Sequence, residues 1–326
     1  MNKKWIALTL VLCMLLPLGG CGAAEDDGKL TVVCTVFPIY DWVKNIVGES
    51  ETVEVFLLVG NGTDLHSYQP TAEDILRLRS CELLVRLGGT ADGWVEDALK
   101  KAPSTRRTDL CLTELDDMLL REICAESVAE GHGHEHDHGG HDYHEDCVVD
   151  EHIWLSLSCA KTAVAAIADA LSELDETNAD TYAAEAARYG AELDGLDAEY
   201  RDVIAEATDP YMVVADRFPF VYLAEEYGIG YLAAYEGCST DSNADADTVI
   251  RLARTLDEKG LDFLVVTESS DGTLADSVIR ASESGEREVV TLDSLQSVTA
   301  KELEEGKNYL DTMRGNLAVL RRVLLP

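Results

Sequence analysis

The 326-residue sequence predicts an α/β protein of two similar lobes, each a parallel sheet flanked by helices, joined by one long linking helix. Three observations predict it. Apolar strand-like runs alternate with helical patterns from Lys29 onward, as parallel sheets covered by helices require. The plan of the first half returns in the second, where "VFPIY" and "DILRL" find counterparts in "RFPFVY" and "TVIRL". Between the halves lies "ETNADTYAAEAARYGAELDGLDAEYRDVIAEA", free of proline and rich in Ala, Glu and Leu.

The chain opens on Lys3 and Lys4, the apolar run "WIALTLVLCMLLPL", and "LGGC" ending at Cys21. So short a run suits a signal-peptide core rather than a membrane span. It resembles a bacterial lipoprotein box, which implies that residues 1–20 are removed and that Cys21 is the lipidation site. Residues 21–28 would then tether the protein to the extracytoplasmic face of the cell membrane. A diacyl anchor holds stably without a transmembrane helix.

The first lobe, residues 29–175, starts with the strand "KLTVVCTVF", a helix from Pro38 through Val47 ended by Gly48, and the strand "TVEVFLLV". After the loop "GNGTDLHSYQP", Thr71 caps the helix "TAEDILRLRS", and "ELLVRLG" returns as a strand. The linking segment, residues 176–207, could run about 45 Å at about 1.5 Å per residue. A flexible linker would be rich in Gly, Ser or Pro. A stiff connector predicts lobes that move little on binding. The second lobe, residues 208–326, reads as the strand "YMVVADRFPF", a helix from Pro219 to Gly228 and the strand "IGYLAAY". The loop "EGCSTDSNADAD", the helix "TVIRLARTLDEK" and the strand "LDFLVVTE" follow. A capping box from Thr299 to Glu302 is expected to start the final helix, which runs on through "YLDTMRGNLAVLRRVL".

Hydrophobic residues make up 46% of the chain, enough for lobes with real cores. The formal net charge of −36 argues against nucleic acid as a partner and suits a protein that gathers cations. Of nine cysteines, Cys13 and Cys21 fall in the signal region. The other seven form no C-x-x-C pair, and an odd number cannot all pair internally.

Six of the eight histidines crowd into "GHGHEHDHGGHDYHED", residues 131–146: His132, His134, His136, His138, His141 and His144. So polar and glycine-rich a segment reads as a loop, and its imidazoles suit borderline divalent metals, zinc first. The other two are His66, in the loop after the second strand, and His152, in "DEHIWLS". Neither lies on an amphipathic helical face of the kind that packs histidine into a core. Imidazoles bind metal only when neutral, so affinity is expected to fall as pH drops through about 6.5.

Together "DLHSYQPTAEDI", the histidine-rich insert, "DEHIWLS", "ADRFPFVYLAEEYG" and "LDSLQSVTAKELEEG" resemble the zinc/manganese solute-binding proteins of bacterial ABC transporters, over nearly the whole mature chain. The resemblance implies two α/β lobes bridged by a long helix, a metal site in the cleft, and a monomer delivering metal to a permease and its ATPase. It also implies that His66 and His152 are first-lobe ligands. The second lobe of relatives adds a histidine or carboxylate after its first strand and a carboxylate near its last. Those positions fall on Asp216, whose carboxylate Arg217 could claim, and on Asp293, with Glu268 in reserve. Two imidazoles and two carboxylates can complete a zinc site and would also hold manganese; the insert favours zinc.

Two other classes compete. "HEHDH" matches the zincin pattern H-E-x-x-H, but that motif works on a helix, and Gly131, Gly133, Gly139 and Gly140 surround it. No G-x-S-x-G elbow or phosphate-cradling loop occurs, so no enzyme is expected. Relatives are also described as cell-adhesion proteins, although no adhesive repeat is visible here.

Overall fold

The structure is a computed structural model and describes residues 28–90, 92–124, 147–236 and 244–325. The proposed signal, the lipid-box Cys21 and all six histidines of residues 131–146 lie outside the described residues.

The first lobe is built from β1 (Leu30–Cys34), α1 (Phe37–Val47), β2 (Val53–Leu57), α2 (Ala72–Ser80), β3 (Leu83–Arg86), α3 (Gly93–Lys101) and β4 (Thr108–Cys111). Its strands pair in the order β2-β1-β3-β4, all parallel. Sequence explains the local choices. Val32, Val33 and Cys34 are wholly buried, as a strand covered on both faces requires. Pro38 stands at the start of α1, where its missing N–H costs nothing. Thr71 and Asp74 exchange hydrogen bonds as a capping box at the start of α2.

A two-stranded antiparallel ladder follows, β5 (Glu122–Cys124) with β6 (Cys147–Val149), and then α4 (Leu157–Leu174). The long helix is α5 (Ala179–Ala205), 27 residues and about 40 Å. It lies against α4 and α1 and buries Tyr182, Tyr189, Leu193 and Tyr200.

The second lobe contains β7 (Tyr211–Phe218), α6 (Val221–Tyr227), β8 (Gly230–Glu236), α7 (Ala246–Lys259), β9 (Phe263–Thr267), α8 (Thr273–Ala281) and β10 (Glu288–Leu292). Its order, β10-β9-β7-β8, repeats the first lobe's topology strand for strand, and it too is parallel. The short internal likeness in the sequence is therefore a likeness of fold.

The expected single final helix is two helices. The capping box of Thr299 and Glu302 starts α9 (Ala300–Glu304), which stops after one turn. Gly306 then takes a φ of +86°, a left-handed conformation that ends a helix, and Asn308 caps α10 (Tyr309–Leu324) afresh. That break turns α10 back against α5 and α1. There the Trp42 and Tyr309 rings meet edge to face at 5.3 Å.

Candidate metal centre

Open α/β sheets bind ligands outside the carboxyl ends of their strands, and the candidate residues lie there. His66 follows β2, Asp216 lies late in β7, Glu268 follows β9 and Asp293 follows β10.

One device places both histidines. In Asp64-Leu65-His66 the aspartate Oδ1 accepts the His66 backbone N–H at 2.9 Å. In Asp150-Glu151-His152 the Asp150 Oδ1 accepts the His152 backbone N–H at 2.7 Å. Each is an aspartate-closed turn two residues long, leading into a short 3-10 turn, Leu65–Ser67 or Ile153–Leu155. The turns bring the two imidazoles together with ring centres 5.9 Å apart.

The ring environments differ. Asp150 Oδ1 also lies 2.8 Å from His152 Nδ1. A carboxylate only accepts, so Nδ1 carries the proton and Nε2 keeps its lone pair. That Nε2 meets the side-chain amide of Gln296, from the second lobe, at 3.1 Å. His66 Nε2 is buried without a hydrogen-bond partner. Its Nδ1 lies 3.6 Å from Glu151 Oε1. Burial, reinforced by the neighbouring His152, lowers the His66 pKa from 6.5 to about 4, so the ring is neutral near neutral pH. Burial raises the Glu151 carboxyl, whose Oε1 accepts from Thr90 at 3.0 Å.

The lobes meet around this pair. Arg217 donates to Asp64 at 3.2 Å, Trp154 donates its indole N–H to Ser294 O at 2.8 Å, and Gly62 N–H donates to Val298 O at 2.9 Å. Asn61 and Leu295 are the non-glycine residues with positive φ among the described residues, at 56° and 60°. They sit in the two loops that the Gly62–Val298 bond joins. Such conformations cost about 1–2 kcal/mol each and persist where surrounding structure fixes them, as at binding sites.

The carboxylates assigned from sequence are hydrogen-bonded to other partners. Asp216 Oδ2 accepts from Thr267 N and Oγ1 at 3.2 and 2.7 Å, and its Oδ1 accepts from Arg217 N at 2.8 Å. The Arg217 guanidinium goes to Asp64, so it is Thr267 that occupies Asp216. A register irregularity in β7 between Val214 and Arg217 sets this position. Asp293 bonds Lys307 Nζ at 2.7 Å and Leu295 N at 2.8 Å. It lines an open groove of about 540 Å³ with Glu302, Lys307 and Asp311 that neither histidine lines. Glu268, the reserve, accepts from Ser294 Oγ and N at 2.6 and 2.7 Å. Among the described residues no three His, Cys, Asp or Glu side chains gather around one point. The structure therefore brings His66 and His152 together and leaves Asp216 and Asp293 engaged with Thr267 and Lys307. Sequence reading missed Asp150, Glu151 and Gln296. The signal for the first was present: D-x-H occurs at both histidines.

Known proteins share this architecture. The family described as the periplasmic component A of the zinc-uptake complex, ZnuA, matches residues 32–323. The zinc-binding lipoprotein AdcA of Streptococcus pneumoniae is 29% identical over 320 residues, covering 98% of this chain and 61% of that protein. This chain thus spans about three-fifths of that relative's length. The high-affinity zinc uptake system protein ZnuA of Bacillus subtilis is 29% identical over 333 residues, covering 100% of this chain and 99% of that protein. The Zn(II)-bound ZnuA-like domain of S. pneumoniae AdcA superposes with a TM-score of 0.71 at 26% identity, over 91% of this chain and 99% of that one. With the match extending from β1 to the end of α10, the chain belongs to the ZnuA family of periplasmic zinc-uptake components.

Proposed function

We propose that this protein captures zinc between its lobes and hands it to an ABC importer. The observation that carries the reading is the histidine pair. His66 presents a buried, neutral Nε2 with no partner, beside a His152 whose lone pair Asp150 directs to its Nε2. Zinc bonds imidazole at about 2.0–2.1 Å, so a tetrahedral pair needs ring centres about 5 Å apart. The observed 5.9 Å is a small adjustment away. Asp150 and Glu151 lie against the Nδ1 atoms of the two rings, and the Gln296 amide can turn its oxygen inward to give the second lobe's contribution. Asp216 and Asp293, the carboxylates expected from the sequence, are held by Thr267 and Lys307. Two nitrogen donors favour zinc over manganese, a harder ion.

The wider reading follows from the sequence. Residues 29–175 and 208–326 act as the two lobes on either side of the linking helix. Cys21 anchors the mature chain by lipid at the extracytoplasmic face of the membrane. The six histidines of residues 131–146 collect metal, and the permease with its ATPase receives it. The chain is a carrier and turns nothing over.

The test is zinc stoichiometry. Protein lacking residues 131–146 should bind one zinc tightly. His66→Ala and His152→Ala should each weaken it by more than the roughly 10–100-fold typical of groups that only orient a ligand. Asp216→Ala and Asp293→Ala should have smaller effects than Glu151→Ala. Tight zinc retained in both histidine variants would sink the reading.

A further inference from the structure

We propose that Cys124 and Cys147, set opposite one another by the β5–β6 ladder, form a disulfide joining the two roots of the histidine-rich segment. The two cysteines are direct partners in the antiparallel register, at its end nearest residues 125–146. The ladder's phase follows from the pair beyond its other end, where Asp150 N–H donates to Arg121 O at 2.8 Å. That makes Arg121 and Asp150 a hydrogen-bonded pair. By alternation Glu122 with Val149 is not one, Ile123 with Val148 is, and Cys124 with Cys147 is not. Residues in such a non-hydrogen-bonded pair share a face with Cα atoms about 4.5 Å apart, within the about 4.4–6.8 Å that a disulfide spans.

The other described cysteines, Cys34, Cys81, Cys111 and Cys159, are buried free thiols. Burial raises the pKa of each, Cys81 to about 11, so few thiolates form there to compete for an oxidant. The ladder is also fixed to the second lobe. Tyr222 OH donates to Asp150 O at 2.7 Å and accepts from Arg121 N. β6 runs directly into Asp150 and His152, so a bond at Cys147 holds the root of the histidine-rich segment five residues from a proposed zinc ligand.

The proposal rests on the extracytoplasmic placement given above, because disulfides persist in oxidising compartments. The chemistry is thiol–disulfide exchange with a disulfide-bearing protein oxidant. One cysteine thiolate attacks the oxidant's disulfide and expels a thiolate. The second cysteine thiolate then displaces the other sulfur, closing the Cys124–Cys147 bond. The two cysteines lose two protons and two electrons, and the oxidant leaves as a dithiol.

The experiment uses the full chain exported by its own signal, with free thiols trapped by an alkylating agent at lysis. Without reduction, Cys124 and Cys147 should escape alkylation and appear as one linked peptide pair. A Glu-specific protease that cuts within residues 125–146 should leave the two fragments joined until a reductant is added. In Cys124→Ser, Cys147 should become alkylatable. Alkylation of either cysteine in the unreduced wild type would overturn the proposal. So would linkage to Cys238, or protection lost to a chelator instead of a reductant. Zinc stoichiometry on the same sample separates the two readings. A reduced chain that binds zinc loses only the disulfide, and a disulfide-bonded chain without tight zinc loses only the zinc receptor.

Discussion

His66 and His152, the proposed ligands, stand out in the sequence because so few histidines lie outside the 131–146 cluster, and each lies in a polar loop where core packing does not explain it. The partners of the carboxylates were not legible. An acidic chain offers many, and which hydroxyl or lysine claims each is decided by contacts distant in sequence, such as Asp216 with Thr267. Residue environment also alters the expected pH response. On the proposed ligation, an ordinary imidazole would lose zinc through about pH 6.5, but burial lowers the His66 pKa to about 4. Protons therefore begin to compete at His66 only as pH nears 4. A synthetic peptide of residues 131–146, with solvated imidazoles, should release zinc at higher pH than the protein lacking that segment. Calorimetric titrations from pH 4 to 7 make the comparison, and a shared midpoint would contradict it. The same shift bears on folding. With the folded pKa below the unfolded one, the unfolded chain binds more protons between about 4 and 6.5. His66 thus contributes its full stability above that window and loses it as pH falls.

At the scale of elements, strands with continuous apolar runs were readable, as in "LTVVC" and "FLVVT". β4, β5 and β6 were not, being three or four residues long, and β4 is largely solvent-facing. The box at Thr299 was read correctly, but Gly306 and Asn308 outweighed the continuation behind it. Helix α5 matches its reading and still carries two glycines. A methyl on Gly190 would make ordinary contact with Lys161 at 3.8 Å, and one on Gly195 would meet nothing within 4 Å. Replacing both by alanine removes the backbone entropy cost at no steric price. The double variant should gain about 1–2 kcal/mol in denaturant unfolding with zinc affinity unchanged. A loss of stability would mean that the helix bends at those residues.

Over the whole molecule, one buried cluster runs through both lobes, beside a second that lies within the second lobe. Val32 and Leu84 of the first sheet belong to the same buried cluster as Val214, Val265 and Leu292 of the second, bridged by Tyr189, Leu193 and Tyr200 of α5. Sequence suggested a stiff connector; the continuous packing around it came from the turn at Gly306 that sends α10 home. Lobes fused in this way cannot hinge widely without opening apolar surface. X-ray scattering of apo and zinc forms should nearly superimpose, and a large compaction on zinc binding would refute the fused core. The junction also titrates. Asp41 on α1 accepts from the Tyr309 backbone N–H at 3.1 Å, and burial raises its carboxyl from 3.8 to about 6. A raised folded pKa contributes stability that is complete below about pH 3.8 and lost as pH climbs through 6. Relative to Asp41→Asn, the wild type should therefore lose melting temperature from pH 4 to 6.5. A difference that stays constant with pH would count against the shift.

The two aspartate turns, alike in sequence, differ in how much of each histidine they hold. Asp64 hydrogen-bonds the backbone at residue 66 and acts on the ring only through its charge. Asp150 grips both backbone and ring at residue 152. A thiolate or carboxylate put at position 66 would inherit the same aim from an undisturbed turn. Any replacement at 152 strands a buried aspartate without its ring partner, a loss that folding itself would register. One position is exchangeable and the other committed, so a change of cargo in this protein would begin at residue 66.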